Sequence, residues 1–161
     1  MSQESVDRVE ARYGIRFPDD FRDYLLHSCP KDDFENADDE YTAWWPLDRL
    51  KNIPDEYPHT ITDPMIGKNA AKYIFFADYS IWCWAWAINC SDDKNRGRVA
   101  VIGGPDFFVA DSFDEFVDRY IEDQKQVCWH SPRRDRYVRL FHFAAYILAM
   151  VGAAGLEPAT R

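Results

Sequence analysis

Residues 72–89 read KYIFFADYSIWCWAWAIN. KYIFFADY (72–79) has the apolar, aromatic composition of a strand. IWCWAWAIN (81–89) alternates: Trp82, Trp84 and Trp86 point one way, and Cys83, Ala85 and Ala87 the other. That is the period of two a strand imposes. Beyond it, CSDDKNRG reads as a turn region and RVAVI (98–102) as the returning strand. Gly103-Gly104-Pro105 breaks the chain before DFFVA (106–110), a last short strand. On the N-terminal side, YTAWWPL (41–47) is strand-like, with Pro46 limiting its length. The centre of the chain is therefore predicted to be a meander of strands.

Helices flank this meander. Val6, Val9 and Tyr13 recur at helical spacing over 3–13, and Gly14 supplies the stop. Pro18 suits the first turn of a second helix, with Asp19 and Asp20 at its positive end. Phe21, Tyr24, Leu25 and Ser28 share a face of that helix, and Cys29-Pro30 ends it. Ser112, with Glu115 three residues on, is a capping box ahead of Phe113, Phe116, Val117, Tyr120 and Ile121. LDRLKNI (47–53) is expected as a short helical stretch. Residues 54–70, with Pro54, Pro58, Pro64 and Gly67, are expected as a long irregular crossing. Helix, helix, meander, helix is the order of an α+β fold: an antiparallel, mixed-order sheet flanked by helices. One such domain over 1–124 is the expectation, followed by an extension over 125–161.

Charge separates these two parts. The net charge is -9. Residues 1–124 hold 26 Asp and Glu against 13 Lys and Arg, and residues 125–161 hold 2 against 6, so the parts carry -13 and +4. The first part repels nucleic acid and anionic membranes and attracts a basic partner. With 47% hydrophobic residues it has enough apolar material for a core, which excludes disorder for most of the chain. The opening MSQESVDRVEAR is charged and polar, unlike a secretory signal, and no cysteines have paired C-x-x-C spacing. Cys29, Cys83, Cys90 and Cys128 read as reduced, mostly buried thiols of a cytoplasmic protein. In the extension, Arg133, Arg134, Arg136 and Arg139 precede LFHFAAYILAMVGAAGL (140–156), an apolar run of 17 residues. A membrane span wants roughly 20. The run is open to three readings: a helix docked on the domain, a weak tail anchor, or an accidental extension of the reading frame.

Three pieces stand in a telling order: VEARYGIRFPDDFRDYLL (9–26), WWPLDRLKNI (44–53) and GRVAVIGGPDFFVADSFDEFVDRYIED (97–123). Together they resemble the SUKH superfamily, the domain of yeast cell-wall assembly regulators and of many bacterial immunity proteins. Gly14, Phe17, Pro18, Phe21 and Leu25 are similar to its opening helix, Gly step and acidic-aromatic helix. Trp45, Pro46 and Leu47 look like its W-x-L entry, and Ser112, Phe113, Phe116 and Val117 like its closing helix. Many members carry a Gly-rich turn with an acidic residue between the central strands. Here ADYSIW (77–82) holds Asp78 and no glycine. The resemblance implies binding rather than catalysis. In bacteria it implies an immunity protein that neutralises a cognate protein toxin; in fungi, a regulatory scaffold.

The residues themselves offer no enzyme site. Cys128 and His130 are neighbours, but no second pair has ligand spacing, so neither a metal nor a cofactor is expected. His27, Ser28 and Cys29 do not face one another on a helix. His59 lies in a Pro-rich loop. Gly103-Gly104-Pro105 lacks the spacing and Lys of a phosphate-binding loop.

Two features remain as candidate partner contacts. Asp32, Asp33, Glu35, Asp38, Asp39 and Glu40 are six acids in nine positions. They form either a plain solvated loop or one that steers a basic partner. Trp82, Trp84 and Trp86, with Trp44 and Trp45 nearby, either fill the core beneath the helices or form a partly open aromatic face, the helices lying instead on the small Cys83/Ala85/Ala87 face. Base stacking also uses aromatics, but it comes with a positive groove, which this acidic domain lacks.

Overall fold

The computed structural model describes residues 1–31, 38 and 40–128. Helix α1 (Gln3–Tyr13) starts where the Ser2 hydroxyl accepts the Ser5 amide. It stops at Gly14, whose φ of 59° is left-handed backbone that glycine adopts without strain. Helix α2 (Asp19–His27) follows Pro18 and buries Phe21 and Leu25, one turn apart, with no exposed surface. The buried Glu10 carboxylate joins the two helices. It accepts the Phe17 amide at 2.7 Å and sits 2.8 Å from the Arg22 guanidinium.

The strands are β1 (Thr42–Trp44), β2 (Lys51–Asn52), β3 (Tyr73–Tyr79), β4 (Trp84–Asn89), β5 (Val99–Ile102) and β6 (Phe107–Ala110). They form one antiparallel sheet in the order β1-β3-β4-β5-β6, with β2 also pairing with β3. Single turns α3 (Ile53–Glu56) and α4 (Pro64–Gly67) lie in the crossing between β2 and β3. Residues 47–53 are thus not the helical stretch expected. Lys51 and Asn52 pair with Phe75 and Ile74, and helix begins only at Ile53, capped by the Asn52 side chain. Helix α5 (Phe113–Glu122) begins at Ser112, whose hydroxyl accepts the Glu115 amide at 3.1 Å. The reciprocal bond of a capping box is displaced by one residue, because Glu115 accepts from Asp111.

All of β3, β4 and β5 is buried, so both faces of the sheet are covered. On one face α2 and α5 pack their rings onto Phe76 and Trp86: Phe21, Phe113 and Phe116 lie 5.2–5.6 Å from Phe76, and Phe116 lies 5.7 Å from Trp86. On the other face Phe75 meets Trp45 and Trp82, and Tyr57 stacks on Trp82 at 5.6 Å. Packing onto the sheet continues past residue 124. Gln124 donates to Thr42, and Val127 is fully buried, its carbonyl accepting the Trp86 indole N–H at 2.6 Å.

The tryptophan stripe is corrected by this arrangement. Strand β4 starts at Trp84, not Ile81. Ser80, Ile81 and Trp82 are all left-handed, at φ 45°, 56° and 65°, and the Cys83 amide closes the turn onto the Tyr79 carbonyl. Three such residues in a row reverse the chain and send Trp82 to the face opposite Trp86. Helices α2 and α5 lie on the Trp86 face and bury Trp86, so the Trp82, Trp84 and Trp86 side chains do not form an open aromatic face. The turn keeps left-handed backbone with no glycine in it. Asp78, buried at its base, accepts the Trp82 amide (3.0 Å), the Trp45 indole N–H (2.7 Å) and an Arg49 N–H (3.1 Å).

Candidate partner-binding groove

The helices on the Phe76 face do not close over it completely. Between α2 and α5 lies a groove of about 860 Å³ whose floor reaches β1. Tyr24 comes from α2, Trp44 from β1, and Phe113, Val117, Tyr120 and Ile121 from α5. Tyr24 sits 4.9 Å from Phe113 and 6.0 Å from Trp44, and Tyr120 meets Trp44 edge-on at 5.3 Å. These rings exist at the surface because each helix turns its most apolar side to the core and leaves the next residues round, Tyr24, Val117 and Ile121, at the margin. Ile121 is 77% exposed.

Five carboxylates line the same groove, Asp20, Asp23, Asp38, Asp114 and Asp118, and among the described residues no lysine or arginine does. Their situations differ. Asp20 accepts its neighbour Phe21's amide and, across the groove, the Phe113 and Asp114 amides at the N-terminus of α5. It therefore caps one helix from the other and satisfies amides that a helix start leaves open. Asp38 accepts the amides of Glu40 and Thr42, the Trp44 indole N–H at 3.2 Å, and the Tyr120 hydroxyl. Burial, and then the bond to Asp38, push the Tyr120 hydroxyl above its ordinary pKa and keep it a donor. Burial likewise raises Tyr24. Asp23 lies 3.1 Å from the His27 ring. Asp114 and Asp118, one turn apart on α5, are exposed, and their carboxylates have no hydrogen bond or ion pair among the described residues.

The sequence-expected contacts are dispersed by the fold. Asp38 and Trp44 are in the groove, and Glu40 is exposed beside it. Asp32, Asp33, Glu35 and Asp39 lie outside the described residues, as does the apolar run 140–156. Trp86 is fully buried, Trp84 is stacked on Tyr79 at 4.1 Å with 9% of its surface exposed, and Trp82 serves the opposite core, donating to Glu56. Trp86 therefore has no area to offer a partner. Tyr24, Asp20, Asp23, Asp114, Asp118 and Tyr120 were missed. The one available signal was acidic residues at three- and four-residue spacing on the flanks of both helices, 20/23 and 114/118.

A model of the SMI1 / KNR4 family (SUKH-1) matches residues 1–119, from the first helix into α5. The chain belongs to that family. A comparison with curated proteins found no match. Every carboxylate of the groove falls inside the SUKH-1 stretch, while Tyr120 and Ile121 lie just beyond it. Among the described residues of this SUKH-1 domain no three His, Cys, Asp or Glu side chains come together as a metal site, and no helix is long and apolar enough to cross a membrane.

Proposed function

We propose that this SUKH-1 domain is a non-enzymatic immunity protein, which binds one basic toxin domain in the cytoplasm and neutralises it. The observation that carries this reading is the groove between α2 and α5: aromatic at its floor, lined by five aspartates and, among the described residues, by no basic side chain. Such a site attracts cations by its field and offers them desolvated contact area. The charge of -13 over residues 1–124 extends the attraction beyond the groove, and six of the acids behind it fall within residues 32–40 of the sequence. A nuclease is the toxin class this pattern suits best. Its cleft is positive because it holds phosphates, and an acidic surface can occupy those positions.

The test is coexpression of the full chain with the toxin domain encoded beside its gene. Restored growth, with a complex that persists through size exclusion and whose association slows as salt rises, is the expected result. A toxin that stays lethal and forms no complex overturns the inhibitor reading and favours a regulatory scaffold of the cell-wall assembly regulator type.

A further inference from the structure

We infer that the α2/α5 groove receives an arginine flanked by apolar residues, carried on a segment of the partner protein. This rests on the partner-binding reading above and specifies its chemistry.

The walls define the flanks. A groove of about 860 Å³ is larger than one side chain requires and lies in the size range of sites that hold a short segment. Val117 and Ile121 give that segment apolar surface on the α5 side. The charge defines the centre. Of the five carboxylates, Asp20 and Asp38 are committed to the fold, each holding backbone amides. Asp114 and Asp118 are not committed. They stand one helical turn apart, where like charges repel, and nothing among the described residues neutralises them. A cation placed between them removes that repulsion.

The choice of cation follows from geometry. An ammonium is a compact, strongly hydrated point charge, which gains little from aromatic walls. A guanidinium is planar, weakly hydrated, and presents forked N–H donors to carboxylates while its face lies on a ring. Tyr24 and Trp44 supply rings, and Asp114 and Asp118 supply acceptors, along one groove. The Trp44 indole N–H and the Tyr120 hydroxyl are both turned onto Asp38, so the rings are held in place before any ligand arrives.

The probe is the capped peptide Gly-Leu-Arg-Leu-Gly, titrated into the full-length ¹⁵N-labelled chain, beside counterparts carrying lysine or citrulline in place of arginine. The expected result is a saturable shift of the Trp44 indole resonance and of the Asp114, Val117, Asp118 and Ile121 amides. Affinity should fall about tenfold for citrulline and by a smaller factor for lysine. The exposed pair Asp114→Asn/Asp118→Asn should lose about the same tenfold while its spectrum stays folded. Equal binding of the citrulline peptide, shifts spread over all acidic residues, or no shift at millimolar peptide overturns the inference. If the peptide fails while the toxin is still neutralised, only the arginine assignment falls. If the peptide binds the groove but no toxin complex forms, the groove assignment stands and the immunity reading falls.

Discussion

Replacing Ile81 by glycine should make this protein more stable, although Ile81 is a large apolar residue and glycine removes its whole side chain. Ile81 has φ 56°, in the left-handed region, and its side chain is 99% exposed. Left-handed backbone costs an L-residue about 1–2 kcal/mol, and a β-branched side chain does not reduce that cost. Glycine removes it and adds about 0.5–1 kcal/mol of lost chain entropy on folding. No burial is forfeited, so the net gain is about 0.5–1 kcal/mol, or roughly 2–4 °C in Tm for a unit of this size. Ile81→Ala keeps the strain and should change stability by less than about 0.5 kcal/mol. Trp82→Gly relieves the same backbone conformation, φ 65°, but loses the Tyr57 stack, the Phe75 contact and the bond to Glu56. It should destabilise by about 3–5 kcal/mol. Urea and thermal unfolding of the three variants, followed by near-UV circular dichroism, measure these differences. Opposite signs for glycine at two adjacent left-handed positions are the signature. If Ile81→Gly is destabilised, or is no more stable than Ile81→Ala, the turn is not strained in the way its φ values state and the reasoning fails.

Three further outcomes follow from other parts of the molecule. Asp78→Ala strips the acceptor from the Trp45 indole, the Trp82 amide and Arg49 at a buried site, and should cost about 3 kcal/mol or more in urea unfolding. Burial pushes the Cys29 thiol up to about 11 and Cys128 up to about 12, and raises Cys90 too, so at pH 8 these three stay protonated; since the thiolate is the nucleophile, a brief pulse of iodoacetamide read by peptide mass mapping should label the exposed Cys83 first. Reversing the charge of Asp32, Asp33, Glu35 and Asp39 together should slow toxin association by about tenfold at low salt and flatten its salt dependence, with dissociation little changed; unchanged stopped-flow kinetics would remove the segment from the mechanism.

The parts of this fold that were legible in the sequence share a property: the signal and the structure it specifies lie within a few residues of each other. Gly14 ends α1 because its own φ is positive, and Ser112 caps α5 through an amide three residues away. The reading of 81–89 as one strand failed at Ile81 and Trp82, where bulky residues that favour strands are held left-handed. What holds them is not local composition alone. Asp78 fixes the Trp82 amide only while Trp45 and Arg49, about 30 residues earlier, hold Asp78 in place. The groove was hidden for the same reason on a larger scale. Asp20 looks like a helix-start acid of α2, which it is, but its second oxygen caps α5 from 93 residues away and sets the spacing of the two helices. Asp38 looks like one more charge in an acidic loop, yet it joins β1 to α5 through Trp44 and Tyr120. Periodicity tells which face of each helix is apolar. It does not tell that two such faces, laid on one sheet, leave Tyr24, Trp44 and Tyr120 only partly covered by the described residues between them. The two acids whose carboxylates hold no partner among the described residues, Asp114 and Asp118, can be separated from the others only after those long-range bonds are known. That separation is what turns a charge count into a candidate site.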